Sequence, residues 1–238
     1  HEVVQMTCDF SLDHYKEIIN NALSAGYTFS GFQEPAKNMQ IYLRHDVDVS
    51  LDMALRLAQV DADLGVRSTF FVLPNAPTYN ILEDDAIDKI ERMVELGHWV
   101  GLHIDLPKTQ KDIVRTTYLM YGLYKMILPI VPVVSYHRPS KLDNRIFGMQ
   151  LRGLVNTYED RFMKDCKYIS DSRGQWKEGC PCRVLADGVY PRVQLLTHPL
   201  WWVSGLDKAW DELVNERKQV MAQYLASGLT PFKNVSML

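Results

Sequence analysis

Leu43-Arg44-His45-Asp46-Val47-Asp48 decides how the rest of the 238-residue chain is read. Ile41 and Leu43 form a short apolar run at its start, and Ser50 opens an amphipathic helix soon after it, so it reads as a strand end. Side chains at i and i+2 of a strand share a face, which aims Asp46 and Asp48 at the same space beyond the strand. Two carboxylates that close do not both stay free anions; a proton, a cation or a metal relieves them. The plainer alternative is a strand-to-helix turn, in which one Asp helps cap the helix and the other is solvated.

Outward from this stretch, the chain alternates between the two periodicities. Residues 11–25 carry Leu12, Tyr15, Ile18, Ile19, Ala22 and Leu23 on one helical face, with Ser11 as N-cap and Gly26 closing the helix. After the Asp strand, helical patterns are expected over 50–64, 84–96, 110–127 and 206–226. The apolar runs 68–73, 98–103, 133–137, 167–170 and 193–197 read as strands, and 141–163 as irregular with one short helix. This alternation implies a parallel sheet with helical crossovers, and the length suits one α/β domain over 1–238.

Strand after strand then ends on a residue able to bind or catalyse: Asp46 and Asp48, His103, His137 with Arg138, Asp171, His198. In a β/α barrel the C-terminal strand ends line one mouth, so these side chains converge. Asp and His from separate strands are the donor types of a catalytic Zn²⁺ site, which keeps three protein ligands and a water. A spare carboxylate beside such an ion can act as general base, and a histidine opposite as general acid.

Composition excludes several classes. A net charge of −3 without a basic stripe argues against nucleic-acid binding. The longest apolar passage, 126–134, is short and holds two prolines, so no membrane span is expected. No charged region followed by an apolar run opens the sequence, which points to a cytoplasmic protein whose Cys8, Cys166, Cys180 and Cys182 are free thiols. A structural zinc on Cys166, Cys180 and Cys182 is the alternative for these cysteines.

The motifs, taken in order from Leu43 to Trp202, resemble the polysaccharide deacetylases of the NodB-homology group, carbohydrate esterase family four. His45-Asp46-Val47-Asp48 is similar to the first motif, and Gly65-Val66-Arg67-Ser68-Thr69-Phe70-Phe71 to the strand after it. Gly97-His98-Trp99-Val100-Gly101-Leu102-His103 is similar to the second motif, and Tyr136-His137-Arg138-Pro139 to the third. Ser170-Asp171-Ser172 with Trp176 resembles the fourth, and Leu196-Thr197-His198 the fifth. The resemblance implies a single-domain, distorted NodB-type (β/α) barrel behind an N-terminal helix. It implies a metal-dependent N-deacylase in which Asp46 is the base, Asp48 and His103 bind metal, and Arg138, tethered by Asp171, orients the base. Trp176 then walls the groove, Leu196 lines the acyl pocket and His198 is the general acid. One position departs: the second motif's further histidine, four residues after the first, is Pro107 here. His137 is the expected replacement ligand and Asp105 the other candidate.

The implied metal is a divalent ion, most simply Zn²⁺. The implied substrate is an N-acetyl or N-formyl amino sugar, nucleotide-linked, lipid-linked or in an oligosaccharide, used in surface polysaccharide assembly. A non-catalytic carbohydrate-binding domain and a hydrolase of small amides or imides on the same fold are the alternatives. Three histidines read as structural or solvated: His98 at a strand start, His45 on the face opposite Asp46, and His14 in solvent on the first helix. Trp201 and Trp202 read equally as a sugar-stacking wall or as core.

Overall fold

The computed structural model describes residues 8–142, 144–204 and 209–228. At its centre lies β2 (Gln40–Val47), whose eight residues are all buried, as on a parallel strand covered on both faces. β3 (Thr69–Val72) and β8 (Arg192–Thr197) pair on either side of it, and β1 (Thr28–Phe29) pairs with its first two residues. β4 (Trp99–Ile104), β5 (Val133–Tyr136), β6 (Val155–Asn156) and β7 (Lys167–Ser170) complete one sheet ordered β6-β5-β4-β3-β2-β8-β7. Every pairing between these strands is parallel.

The sheet is curled, and Arg44 shows it. In a flat sheet, strands three places apart would lie roughly 14 Å from one another, at about 4.8 Å per strand. Yet the Arg44 guanidinium on β2 donates to Ser135 on β5, to Thr157 just past β6 at 3.1 Å, and to Gln194 on β8 at 3.4 Å. The strands therefore wrap around this side chain. The inward residues of β2 form a ladder: Tyr42 low, Arg44 in the middle, Asp46 above, and Asp48 just past the strand end. Tyr42 packs into an aromatic plug, its ring centroid 5.2 Å from Phe32 and 5.0 Å from Phe162. Outward, Ile41 and Leu43 meet Tyr15, Ile18, Leu57 and Trp202 in a second core.

The helices follow the apolar stripes. α1 (Leu12–Ser24) and α2 (Leu51–Asp63) are capped by Ser11 and Ser50, whose hydroxyls accept from the His14 and Met53 amides. α3 (Asp84–Glu95) matches its expected range, while α4 (Ile113–Lys125) starts three residues late because Asp112 caps it, accepting from the Arg115 amide. On α2 the buried stripe runs through Met53, Leu57 and Asp61, with Leu55 and Ala62 only partly covered. Between 141 and 163 the chain forms a 3-10 turn from Pro139 to Leu142, then β6, then α5 (Asp160–Met163). β1, β6, α6 (Pro181–Ala186) and α7 (Pro199–Ser204) are too short to carry a readable period, although Pro181 is the residue expected at a helix start. α8 (Ala209–Gly228) ends the described chain, and its expected start at Leu206 lies outside the described residues. No helix among the described residues is long and apolar enough to cross a membrane.

Candidate active site

At the C-terminal ends of the strands a groove of about 720 Å³ opens, with Asp46, Asp48, His103, His137, Leu196 and His198 in its wall. β2 delivers the two carboxylates. β4 delivers His103, β5 leads directly into His137, and β8 leads into His198, so four separate segments converge as the strand phase predicts.

Asp46 is almost fully buried and forms a two-pronged pair with Arg44: Nε donates to Oδ1 and Nη2 to Oδ2, each at 2.7 Å. Burial works to raise this carboxyl's pKa, but the guanidinium, together with the nearby imidazoles of His103 and His198, more than reverses it and holds Asp46 below its ordinary range. Arg44 is the residue that sequence reasoning missed. The available signal was the same i, i+2 alternation that groups Asp46 with Asp48, since Arg44 stands one step earlier on that face.

Asp48 lies between three histidines. Its Oδ1 is 3.2 Å from His103 Nε2 and 3.2 Å from His137 Nδ1, and its Oδ2 is 3.7 Å from His198 Nε2. Burial opposes its charge, and the neighbouring imidazoles His103 and His137 more than offset this, keeping Asp48 well below the usual carboxylate range. Asp48, His103 and His137 each offer a donor atom within 4.8 Å of the others. Asp48 Oδ1 and both ring nitrogens of His103 are buried without a directional hydrogen-bond partner. Buried polar atoms left this way are costly, and a divalent cation held by these three residues would satisfy them. The donor set and the orphaned atoms both fit a metal.

His198 is fixed from behind by Asp171, with Nδ1 2.6 Å from Oδ1 and the His198 amide donating to Oδ2 at 2.9 Å. Burial would lower the imidazole's pKa, yet Asp171 more than reverses that and lifts it to about 9. Trp202 Nε1 also donates to Asp171, at 2.9 Å.

Several expected contacts differ. Arg138 does not meet Asp46 or Asp171; its left-handed backbone (φ 50°) turns the side chain to Asp105 at the end of β4. Asp105 is thereby engaged by Arg138, and it stands outside the Asp48–His103–His137 group. The expected pairing of Asp171 with Arg138 is replaced by its bond to His198. Trp176 is absent from the groove wall because its ring stacks on Phe10 (5.9 Å) and meets Trp202 (5.9 Å) on the outer side. The two neighbouring tryptophans separate: Trp201 lines the groove and Trp202 is core.

His98 bonds the Ala58 carbonyl through Nε2 (2.9 Å) and the Ser68 amide through Nδ1 (3.2 Å), and His45 bonds Asp61 (2.9 Å) and Thr197 (2.6 Å), all away from the groove. His14 is buried rather than solvated, because Glu17 and Cys180 take its two ring nitrogens. The four cysteines are free, and Cys166 donates to the Arg161 carbonyl, apart from Cys180 and Cys182.

No protein-family model matches this chain, and no curated protein does. Among solved structures it is similar to a family 4 carbohydrate esterase from Bacillus anthracis, at 18% identity over 85% of this chain and 86% of that one, with a TM-score of 0.43. It is also similar to the catalytic domain of a peptidoglycan N-acetylglucosamine deacetylase from Eubacterium rectale (15% identity, 79% of this chain and 90% of that one, TM-score 0.43). A third is a CE4 family pseudoenzyme from Bacillus anthracis (14% identity, 79% and 63%, TM-score 0.45). These are proteins of the kind that the motifs resemble.

Proposed function

We propose that this chain is a metal-dependent N-deacylase of amino sugars. The observation that carries the reading is the pairing of two opposed groups at one ion-binding cluster. Asp46 is kept ionised by Arg44, and His198 is kept protonated by Asp171, with Asp48, His103 and His137 between them. A divalent cation bound by those three residues, most simply Zn²⁺ for an Asp-His-His set, supplies Lewis acidity to water and to an amide carbonyl. Asp46 takes one proton from the attacking water as its oxygen bonds to the carbonyl carbon. His198 Nε2 gives its proton to the nitrogen as the C–N bond breaks, which leaves a carboxylic acid and a free amino group. Leu196, on the groove wall, suits a small acyl group, formyl or acetyl. Trp201 offers a flat surface beside it for a sugar ring.

The rim supports a phosphate-bearing carrier on the sugar, nucleotide-linked or lipid-linked. Arg173 and Lys177 are exposed on the groove, while the acidic Glu178 next to them is paired with Lys167. Such a substrate fits a step of surface polysaccharide assembly.

The test is release of free amine by zinc-loaded protein from nucleotide-diphosphate-linked amino sugars carrying N-formyl or N-acetyl groups, beside the same sugars without carrier. The expected result is hydrolysis of the carrier-linked compounds, reduced at least about 100-fold in Asp46→Asn. His137→Ala should lose the zinc held at the strand ends. No amine from any compound, or an unaffected Asp46→Asn, would sink the reading.

A further inference from the structure

A second cluster of metal-ligand side chains lies on the outside of the curled sheet, where α1 meets α6. Cys8 precedes α1, His14 sits in its first turn, Cys180 is the N-cap of α6 and Cys182 lies in α6's first turn. Cys8 Sγ is 3.7 Å from Cys182 Sγ, and His14 Nε2 is 3.0 Å from Cys180 Sγ. One donor atom from each of the four residues falls within 4.8 Å of every other.

We propose that Cys8, His14, Cys180 and Cys182 form a structural zinc site, separate from the ion-binding cluster in the groove. Three thiols and one imidazole are a usual closed set for structural Zn²⁺, with four protein donors and no open position. The histidine is oriented for the role: its Nδ1 is 2.8 Å from Glu17 Oε2, and the tautomer whose Nδ1–H donates to that carboxylate leaves the Nε2 lone pair facing Cys180. His14 is 3% exposed and Cys182 6%, so two of the four donors are already desolvated. Zinc entry breaks three S–H bonds and releases three protons to solvent, with no change of oxidation state.

The ligand spacing hides the site from sequence reading. Cys180 and Cys182 stand two apart rather than three, and the remaining donors come from more than 160 positions earlier in the chain. Its place gives it a function. The segment between β7 and Cys180 begins at Asp171, which fixes His198, and carries Arg173 and Lys177 on the groove rim. Zinc ties the end of that segment to α1, next to the Phe10–Trp176–Trp202 ring cluster.

The experiment is Co²⁺ substitution of the reduced wild-type chain, because the groove cluster contains no sulfur and cannot give a sulfur-to-cobalt charge-transfer band. The expected result is that band, with intense visible absorption of a tetrahedral ion, retained in Asp48→Ala/His103→Ala and lost in Cys182→Ser. Zinc-edge X-ray absorption on Asp48→Ala/His103→Ala should then show sulfur at about 2.3 Å and nitrogen at about 2.0 Å. Absence of the charge-transfer band in folded wild type, or an intact mass showing that Cys8 and Cys182 form a disulfide even in the reduced preparation, overturns the site. Neither result bears on the deacylase reading, which depends on the other cluster.

Discussion

Arg44 and Asp46 form a buried ion pair whose members depend on each other. The guanidinium is fully buried and also touches Ser135, Thr157, Tyr158 and Gln194, so its donors are shared around the interior. Removing one partner of such a pair leaves an uncompensated charge, at a cost of about 3–5 kcal/mol. Arg44→Gln should therefore lower unfolding free energy by about that amount in urea titrations. In the surviving folded protein the Asp46 pKa rises, so the acid limb of the proposed deacylase activity should move to higher pH. An unchanged acid limb would show that Arg44 is structural only. His98 offers a pH test away from the groove. Burial holds its folded pKa below the unfolded value of about 6.5. The unfolded chain then binds the proton more readily, so stability is whole above about 6.5 and declines as pH falls through that value. Between about pH 7 and 5, wild type should lose more stability than His98→Gln, measured by denaturant midpoints.

β4 shows how one strand serves both packing and chemistry. Gly101 and His103 share its inner face, and a Cβ at Gly101 would lie 2.6 Å from a Phe71 ring carbon and 2.9 Å from the Val133 carbonyl oxygen. The neighbour on one side is backbone, so the strand itself must shift. Gly101→Ala should cost about 1–3 kcal/mol by overpacking and displace His103, two residues along. Denaturant unfolding reads the first effect, and weaker zinc binding at the groove cluster reads the second. α6 is an element of another kind. Its six residues are too few to sustain a helix on propensity, and Pro181 at its start together with burial of Cys182 and Leu185 holds it in place.

Across the whole molecule, curling of the sheet converts a list of strand ends into a site. Strand phase is local: a period of two residues, a buried run and a following helix are visible in any short window. That is why Asp46, Asp48, His103, His137 and His198 could be named as facing one mouth, and why the parallel α/β order was legible. His137, named as the stand-in for the histidine that Pro107 replaces, is the residue found beside Asp48 and His103. Partner choice is local only where both partners share a strand face, as Arg44 and Asp46 do. Arg138 was the arginine expected to orient Asp46; Arg44, one step earlier on the same strand face, holds it instead, and Arg138, with a left-handed backbone, pairs with Asp105. His14 looked exposed on an amphipathic helix, and became buried once α6 arrived against it from the far end of the chain. Periodicity, caps and strand-end chemistry were written in neighbouring residues. The pairing of Asp171 with His198, the turning of Trp176 away from the groove and the meeting of four sulfur and nitrogen donors depend on distances between remote segments, which exist only after the sheet has curled around Arg44.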